Sequence, residues 1–287
     1  MKNREGKLKK KEENKVETTG HSWDGIEEYK NPDPFWLRLV FYMALFFSLG
    51  YWLLYPSWPS QHSHGLLEWT SVKDVNEGLQ EIQAKRAIYQ QEFDKSSFEQ
   101  IMNDPRLLKF ALNGGNSTFQ NNCVMCHGIG GGGNIGYPNL TAGAWLWGGK
   151  IDDIYQTILH GIRSEDPETR LSQMAAFGKD NILTEDQINL LVDYVIGLFR
   201  NAPKDATADA LFQDNCSSCH GSKGEGNYEL GAPALNDAIW LYGGDRPTVY
   251  HSIYYGRNGV MPYWAGKLDN SQIRQVAIYV HQLGGGQ

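Results

Sequence analysis

The sequence has no excess of positive charge. Its 287 residues contain 26 Lys and Arg against 33 Asp and Glu, which gives a net charge of -7. A chain of this sign is repelled by a phosphate backbone, so nucleic acid is not expected as its main partner. Hydrophobic residues make up 41% of the chain and charged residues 21%, which are ordinary values for a globular protein and exclude disorder throughout.

Two local patterns are also missing. No convincing run of alternating apolar and polar residues occurs, so no β-strand is predicted. The glycines at 130–133 are not followed by Gly-Lys-Ser/Thr, which excludes a phosphate-binding loop. These glycines either let the backbone pass close to a bound group or form a flexible loop.

Long apolar segments are also scarce, and one stretch of the sequence stands out as a candidate membrane span. Phe35 to Tyr55 contains 21 residues with one charge, Arg38, and about 20 helical residues cross the hydrocarbon core of a bilayer. The alternatives are a buried core helix and a cleaved signal peptide. A signal peptide fits poorly, because the preceding segment exceeds 30 residues, carries many acids and is not followed by an A-x-A-like cleavage site. Residues 2–11 hold six bases and one acid, which predicts residues 1–34 in the cytoplasm and everything after Tyr55 outside.

The sequence beyond the span is a tandem repeat. FQNNCVMCHG at 119–128 recurs as FQDNCSSCHG at 212–221, and AWLWGG at 144–149 recurs as IWLYGG at 239–244. We therefore predict two domains, at 105–201 and 202–287. A helical connector at 56–104 is predicted between the membrane span and the first domain. Both copies end in an amphipathic helical pattern, with Thr184 as the N-cap in the first. The fold class is all-α, with one N-terminal transmembrane helix before the two domains.

Both copies share aromatic residues at equivalent positions. Phe119 and Phe212 lie in the first helix of each copy, whereas Tyr194 and Tyr279 lie in the last. We expect these rings to pack the first helix of a copy against its last helix.

All four cysteines lie in two C-x-x-C-H motifs: Cys123, Cys126, Cys216 and Cys219. A disulfide framework spreads its cysteines more widely, and a thioredoxin-like site requires a βαβ context, which is missing. A zinc site would have to pool both pairs. C-x-x-C-H is the attachment signature of c-type haem. Two covalent haem c groups are therefore predicted, with His127 and His220 as iron ligands.

A methionine is the candidate for the second axial position of each iron, because His/Met ligation is common among electron carriers. Met174 and Met261 occupy equivalent places once the eight-residue insertion RSEDPETR at 163–170 is allowed for. The alternatives are a core role for both methionines, or ligation by His160 and His251, which the copies do not share.

Two prolines and four further histidines complete the candidate residues. Pro138 and Pro233 each offer a carbonyl to the Nδ1–H of the ligating histidine, which would orient its ring; an ordinary turn proline is the alternative. Four histidines have no counterpart in the other copy and are predicted on the surface: His21, His62, His64 and His281.

These residues carry a family resemblance. Each copy is similar to a class I cytochrome c domain, and HSWDGIEEYKNPDPFW at 21–36, directly before a membrane span, resembles subunit III of cbb3-type cytochrome c oxidases. The resemblance covers nearly the whole chain and implies that residues 1–34 contain an oxidase-docking box. It implies two His/Met-ligated haems that pair His127 with Met174 and His220 with Met261. Some members have an earlier transmembrane helix, where this chain has the charged residues 1–20.

The resemblance also implies a function in aerobic respiration at the bacterial inner membrane, with the haem domains in the periplasm. Electrons from a soluble cytochrome c would pass to the monohaem cytochrome c subunit and then to the haem-copper catalytic subunit, which reduces oxygen. Six-coordinate haems favour electron transfer over bond-making, so no catalytic residue is expected in this chain. One alternative is a stand-alone membrane-anchored dihaem carrier for another reductase or dehydrogenase, which has no need of the box. The other is a dihaem peroxidase-like enzyme, which needs an iron with an open position.

Overall fold

The computed structural model describes residues 17–56, 65–200, 202–203 and 205–287. The basic residues at 2–11 and the histidines His62 and His64 lie outside these ranges, so their predictions stay open. The chain divides into two compact units, one ending at Ala84 and the other running from Lys85 to Gln287.

The first unit begins with a short β-hairpin. Strand β1, Thr18–Trp23, pairs antiparallel with β2, Ile26–Tyr29. Asp24 and Gly25 form the turn with φ of 50° and 82°, and positive φ at both central residues is typical of the Asp-Gly turns that match the twist of a hairpin. The prediction that the chain has no strand is wrong for this segment. The Asp-Gly pair was the signal that period counting did not detect.

A long apolar helix follows the hairpin. Helix α1 spans Phe35–Leu54, and none of its 20 residues is buried. An exposed helix that is apolar on all sides is typical of a membrane anchor. It is long and apolar enough to cross a membrane, and its bounds agree with those of the predicted span to within one residue.

Helix α2, Ser71–Lys95, leads into the second unit, which is helical. Its α-helices are α3 Phe98–Asn103, α4 Pro105–Asn122, α5 Val124–His127, α6 Ile151–His160, α7 Glu185–Arg200, α8 Ala206–Asn215, α9 Ser217–His220, α10 Arg246–Tyr255 and α11 Asn270–His281. A short 3₁₀ turn occupies Ile129–Gly131.

Local sequence sets several helix ends in this unit. The hydroxyl of Thr184 accepts from the Gln187 N–H at 3.3 Å, and the Gln187 side chain accepts from the Thr184 N–H at 2.9 Å. This reciprocal pair satisfies two backbone donors that would otherwise lack helical partners. The predicted N-cap of α7 is therefore confirmed.

The first and last helices of the repeats pack crosswise. Helix α4 of the first copy packs against α11 of the second, and α8 of the second packs against α7 of the first. The ring centroids of Phe119 and Tyr279 are 5.4 Å apart, and those of Phe212 and Tyr194 are 5.2 Å apart. First helices do meet last helices, but the expectation that they meet within one copy is wrong. The units of sequence repetition are not the units of packing.

The contact between α4 and α11 requires a small residue. A Cβ atom at Gly115 would lie 2.3 Å from the backbone oxygen of Gln275 and 2.6 Å from the Cβ of Tyr279. The equivalent position in α8 is Ala208, which is buried against α7. Glycine at 115 thus allows the two backbones to approach more closely than any other residue would.

Because each first helix packs against the last helix of the other copy, the unit has two main hydrophobic cores. One joins α4 and α6 of the first copy to α11, and the other joins α7 to α8 and α10 of the second copy. A third cluster fixes the end of α2 on the same unit through Phe93, Ile101, Leu107, Ala111 and Ile278. Each candidate haem site therefore lies on a core built from both repeats.

Candidate haem sites

The C-x-x-C-H motifs form single helical turns at the ends of α4 and α8. The His127 N–H donates to the Cys123 carbonyl at 2.9 Å, and the His220 N–H donates to the Cys216 carbonyl at the same distance. One turn therefore presents two thiols and the following imidazole together. This is the arrangement needed to hold one porphyrin edge covalently with a histidine beneath the ring.

Both histidine rings are oriented by a proline carbonyl. Nδ1 of His127 lies 3.2 Å from the oxygen of Pro138, and Nδ1 of His220 lies 2.9 Å from that of Pro233. Because a carbonyl oxygen only accepts, each Nδ1 carries the proton and each Nε2 keeps its lone pair. The structure forms both predicted contacts, which leave the second ring nitrogen able to bind iron.

Burial sets the protonation of these residues. It lowers the pKa of His127 and of His220, and the proline carbonyls oppose this only in part. The imidazoles are therefore held neutral, which is the form that binds metals. Burial, with a smaller effect of the neighbouring cysteine, raises the pKa of Cys123 and of Cys216 to about 11. Reactive redox cysteines have a lowered pKa instead, so a thioredoxin-like role does not fit.

A pooled zinc site does not fit either. Each C-x-x-C pair lies on its own core, and no group of three or more His, Cys, Asp or Glu residues in the described ranges is arranged to hold a metal ion. Structural zinc requires four such ligands at one point.

An apolar cavity opens beside the first motif. Its walls come from both repeats and include Phe119, Cys123, His127, Leu140, Trp145, Ile154, Ile158, Met261, Val276 and Val280. Aliphatic and aromatic walls suit the faces of a flat macrocycle, and Cys123 and His127 lie where a thioether and an iron ligand are needed. The residues present therefore fit a haem c group.

Each methionine is fixed by the backbone of the opposite repeat. Met261 and Ile162 exchange backbone hydrogen bonds, and the Met174 N–H donates to the Arg257 carbonyl at 3.0 Å. A Cβ at Gly161 would lie 2.5 Å from the Met261 oxygen, and one at Gly256 would lie 2.5 Å from the Met174 oxygen. Glycine at these two shared positions lets each methionine segment cross to the other copy.

The structure consequently changes the expected pairing. Met261 packs on the core that carries Cys123, whereas Met174 packs on the core that carries Cys216. The pairs brought together are His127 with Met261 and His220 with Met174. The resemblance implied the pairs His127/Met174 and His220/Met261, whereas the structure places each methionine on the core of the other copy's motif, because the methionine segments cross together with the last helices. Which methionine binds which iron stays a prediction.

The two rival histidines have other contacts. Nδ1 of His160 lies 3.0 Å from Asp166, and its Nε2 lies 3.4 Å from Glu168. Both acids belong to the insertion at 163–170, which His160 therefore anchors. The ring of His251 packs on Tyr255 at 4.6 Å and is exposed. Neither residue lines the first cavity.

Sequence reasoning gave no role to the repeated W-L-W/Y-G-G motif. Trp145 and Trp147 line the first cavity, and Trp240 packs on the second core. Leu241 and Tyr242 contact the first copy: the Leu241 carbonyl accepts from the Gly136 N–H at 2.8 Å, and a Cβ at Gly136 would lie 3.2 Å from the Tyr242 ring. Within the second copy, the Arg257 guanidinium lies 3.9 Å from the centre of the same ring. The repetition of large aromatics beside paired glycines was the available signal.

Comparisons with known proteins agree with this architecture. Residues 15–62 match the family model of the N-terminal domain of cytochrome oxidase-cbb3, FixP. Residues 113–198 match cytochrome c, and residues 203–280 match cytochrome c oxidase, cbb3-type, subunit III.

Curated relatives match over almost their whole length. The chain is 46% identical to the cbb3-type cytochrome c oxidase subunit CcoP of Cereibacter sphaeroides, over 94% of this chain and 95% of the relative. It is 43% identical to the CcoP subunit of an Azospirillum species, over 95% and 96% of the two chains. It is 45% identical to the FixP subunit of Azorhizobium caulinodans, over 94% of each chain.

Proposed function

The chain belongs to the CcoP/FixP family of cbb3-type cytochrome c oxidase subunits, and we propose that it carries electrons from a soluble cytochrome c toward the monohaem and haem-copper subunits. It is a membrane-anchored electron-transfer subunit with two cytochrome c domains and two covalent haem c groups. The direction of electron flow, the donor and the individual ligands are parts of the proposal.

The observation that carries the proposal is the complete ligand set beside each motif. Cys123 and Cys126 would form the thioethers of one haem, and Cys216 and Cys219 those of the other. The haem iron, when bound, supplies the reversible one-electron chemistry. His127 and His220 present Nε2, because their Nδ1–H groups are held by Pro138 and Pro233.

A methionine on each core supports electron transfer rather than catalysis. With Met261 on the first core and Met174 on the second, neither iron would keep an open position for oxygen or peroxide. This disfavours a dihaem peroxidase-like enzyme. A stand-alone carrier is disfavoured by the N-terminal hairpin segment, which matches a model specific to this oxidase family. We place oxygen reduction in the haem-copper subunit.

The charge of the chain supports a soluble cytochrome c as donor. From residue 56 onward the sequence holds more acids than bases, so a basic carrier would be attracted to it. Electrostatic attraction of this kind raises association rates and weakens with added salt. We expect electron entry from the donor to slow as ionic strength rises.

Haem content and electron entry can be measured separately. The intact polypeptide should retain the mass of two haems after denaturation, and the variants Cys123→Ala/Cys126→Ala and Cys216→Ala/Cys219→Ala should each retain one. In the assembled oxidase, either variant should lower oxygen consumption driven by soluble cytochrome c. Consumption driven by an artificial reductant of the core should be preserved as a control. A haem-free mass from cells competent in cytochrome c maturation would contradict the attachment sites, and unchanged rates would contradict the proposed path.

A further inference from the structure

Helix α2 carries an exposed apolar stripe that haem binding does not use. Val72, Val75, Leu79 and Ile82 are 69%, 59%, 50% and 55% exposed. Their spacing alternates between three and four residues, so they occupy the a and d positions of a heptad pattern and share one face of the helix. Such a seam is typical of a helix that packs lengthwise against another helix.

The same face of the helix contacts α4 farther along, where Phe93 is fully buried. Tyr89 stacks on Phe110 of α4 with centroids 6.0 Å apart, and Phe93 meets the same ring edge-on at 5.7 Å. The Arg86 guanidinium also lies 6.0 Å from this ring. The seam from 86 to 93 therefore already has a helical partner, whereas the seam from 72 to 82 is exposed.

The residues beside the exposed seam permit a close approach. Ser71, Asn76, Gly78 and Gln83 occupy its flanking positions and are all uncharged. A Cβ at Gly78 would meet nothing within 4 Å. The acids of this segment, Asp74, Glu77 and Glu81, point elsewhere around the helix. A partner helix would thus meet apolar side chains and neutral neighbours.

The length of the seam limits what its partner can be. Residues 72–82 extend about 15 Å along the axis at 1.5 Å per residue, which is less than two heptads. An independent coiled coil needs about three to four heptads, so this seam is too short to hold two free copies of the chain together. A short seam suffices where another attachment already raises the effective concentration.

The anchor supplies such an attachment, because α2 begins 17 residues after α1 ends. We propose that the stripe Val72–Val75–Leu79–Ile82 packs against an apolar face of a helix from another membrane-anchored subunit of the same oxidase. The proposal rests on membership of the oxidase complex and is independent of haem ligation.

Charge substitution on the stripe tests this contact. Val75→Lys/Leu79→Lys should reduce co-purification of the chain with the oxidase core about tenfold or more, which corresponds to ~1.4 kcal/mol. Lysine is a good helix former, so α2 should persist. Ala84→Lys/Ile88→Lys places the same charges four residues apart on the opposite, exposed face and should leave assembly unchanged. Two haems per chain should be retained by both variants, which separates this test from that of the electron carrier.

Crosslinking identifies the occupant. All four native cysteines lie in the attachment motifs, so Val75→Cys introduces one free thiol to which a photoreactive group can be coupled in the purified oxidase. Mass spectrometry should find the adduct on another oxidase subunit, with little adduct from Ile88→Cys. The proposal is overturned by an adduct between two copies of this chain, by an adduct with lipid, by equal labelling from both positions, or by no adduct at all. Equal assembly of the two lysine variants would overturn it as well.

Discussion

Met261 and Ile162 exchange two backbone hydrogen bonds, with N···O distances of 2.9 and 3.0 Å. This pair ties the methionine of the second repeat to the first repeat. The hydrogen bond from Met174 to Arg257 does the reverse. Each candidate haem site is therefore completed by the other copy, and the two sites depend on each other for their structure.

The first prediction concerns which methionine serves which haem. In a Cys216→Ala/Cys219→Ala background the remaining haem is the one attached at Cys123 and Cys126. Adding Met261→Leu should abolish its Met–iron charge-transfer band. Its reduction potential should fall by a sizeable part of the roughly 0.8 V that axial ligands span. Absorption spectra and redox titration measure both effects.

The matched control is Met174→Leu in the same background. Because Met174 packs on the other core, this variant should keep the band of the remaining haem. A packing role alone predicts only a stability cost below about 1.5 kcal/mol for either substitution. Loss of the band with Met174→Leu and not with Met261→Leu would restore the pairing within each repeat.

The second prediction concerns the close contact of α4 with α11. Gly115→Ala places a Cβ 2.3 Å from the Gln275 oxygen, and relief of such a clash costs about 1–3 kcal/mol. We expect that loss in the free energy of unfolding, with a weaker Met–iron band at the first haem, since α11 and Met261 belong to one segment. Denaturant unfolding and absorption spectra provide the measurements.

Gly132→Ala is the control for this substitution. A Cβ at Gly132 would meet nothing within 4 Å, and the backbone there has φ of -67°, which any residue adopts. It should change stability little. If Gly115→Ala also leaves the free energy of unfolding unchanged, then α4 and α11 do not approach as closely as described.

The third prediction concerns docking by the N-terminal hairpin. A two-stranded hairpin is marginally stable alone, yet Trp23, Ile26 and Tyr29 are 62%, 73% and 65% exposed. We expect the hairpin to be stabilised by contact with the oxidase core, to which Asp24, Glu27 and Glu28 contribute charge. Asp24→Asn/Glu27→Gln/Glu28→Gln should lower co-purification with the core while haem content is unchanged.

Three exposed acids of the second unit provide the control for that variant. Glu99→Gln/Asp180→Asn/Glu229→Gln removes the same formal charge from positions far along the chain and should assemble normally. Normal assembly of the hairpin variant too would show that its acids form only a solvated surface.

The fourth prediction concerns orientation in the membrane. The basic residues at 2–11 precede α1, and positive charge is retained on the cytoplasmic side. Protease added to intact spheroplasts should remove both haem domains and spare residues 1–34, which only permeabilised cells should expose. Protected haem domains would reverse the proposed orientation.

Features that depend on neighbouring residues could be predicted from the sequence. The span at Phe35–Leu54, the Thr184 cap and the single-turn C-x-x-C-H motifs all follow from local spacing and local hydrogen bonds. The hairpin was missed although Asp24–Gly25 is a local signal, because its strands are short and exposed on both faces. The contacts of His127 and His220 with proline carbonyls were also foreseen, since both partners lie in the same loop.

The sequence by itself determined the two attachment motifs, their histidines and the pair of shared methionines. Only the tertiary structure decided which methionine and which last helix complete each site. The reason is that the two interfaces are nearly equivalent: Phe119 and Phe212 offer the same ring, and Tyr279 and Tyr194 offer the same partner. The repeated sequence pattern specifies that a first helix packs against a last helix, but it carries no information on which copy supplies that last helix. Gly161 and Gly256 occur in both copies and permit either methionine segment to cross, whereas Gly115, which packs on Gln275, has Ala208 as its counterpart and so distinguishes the two interfaces in three dimensions.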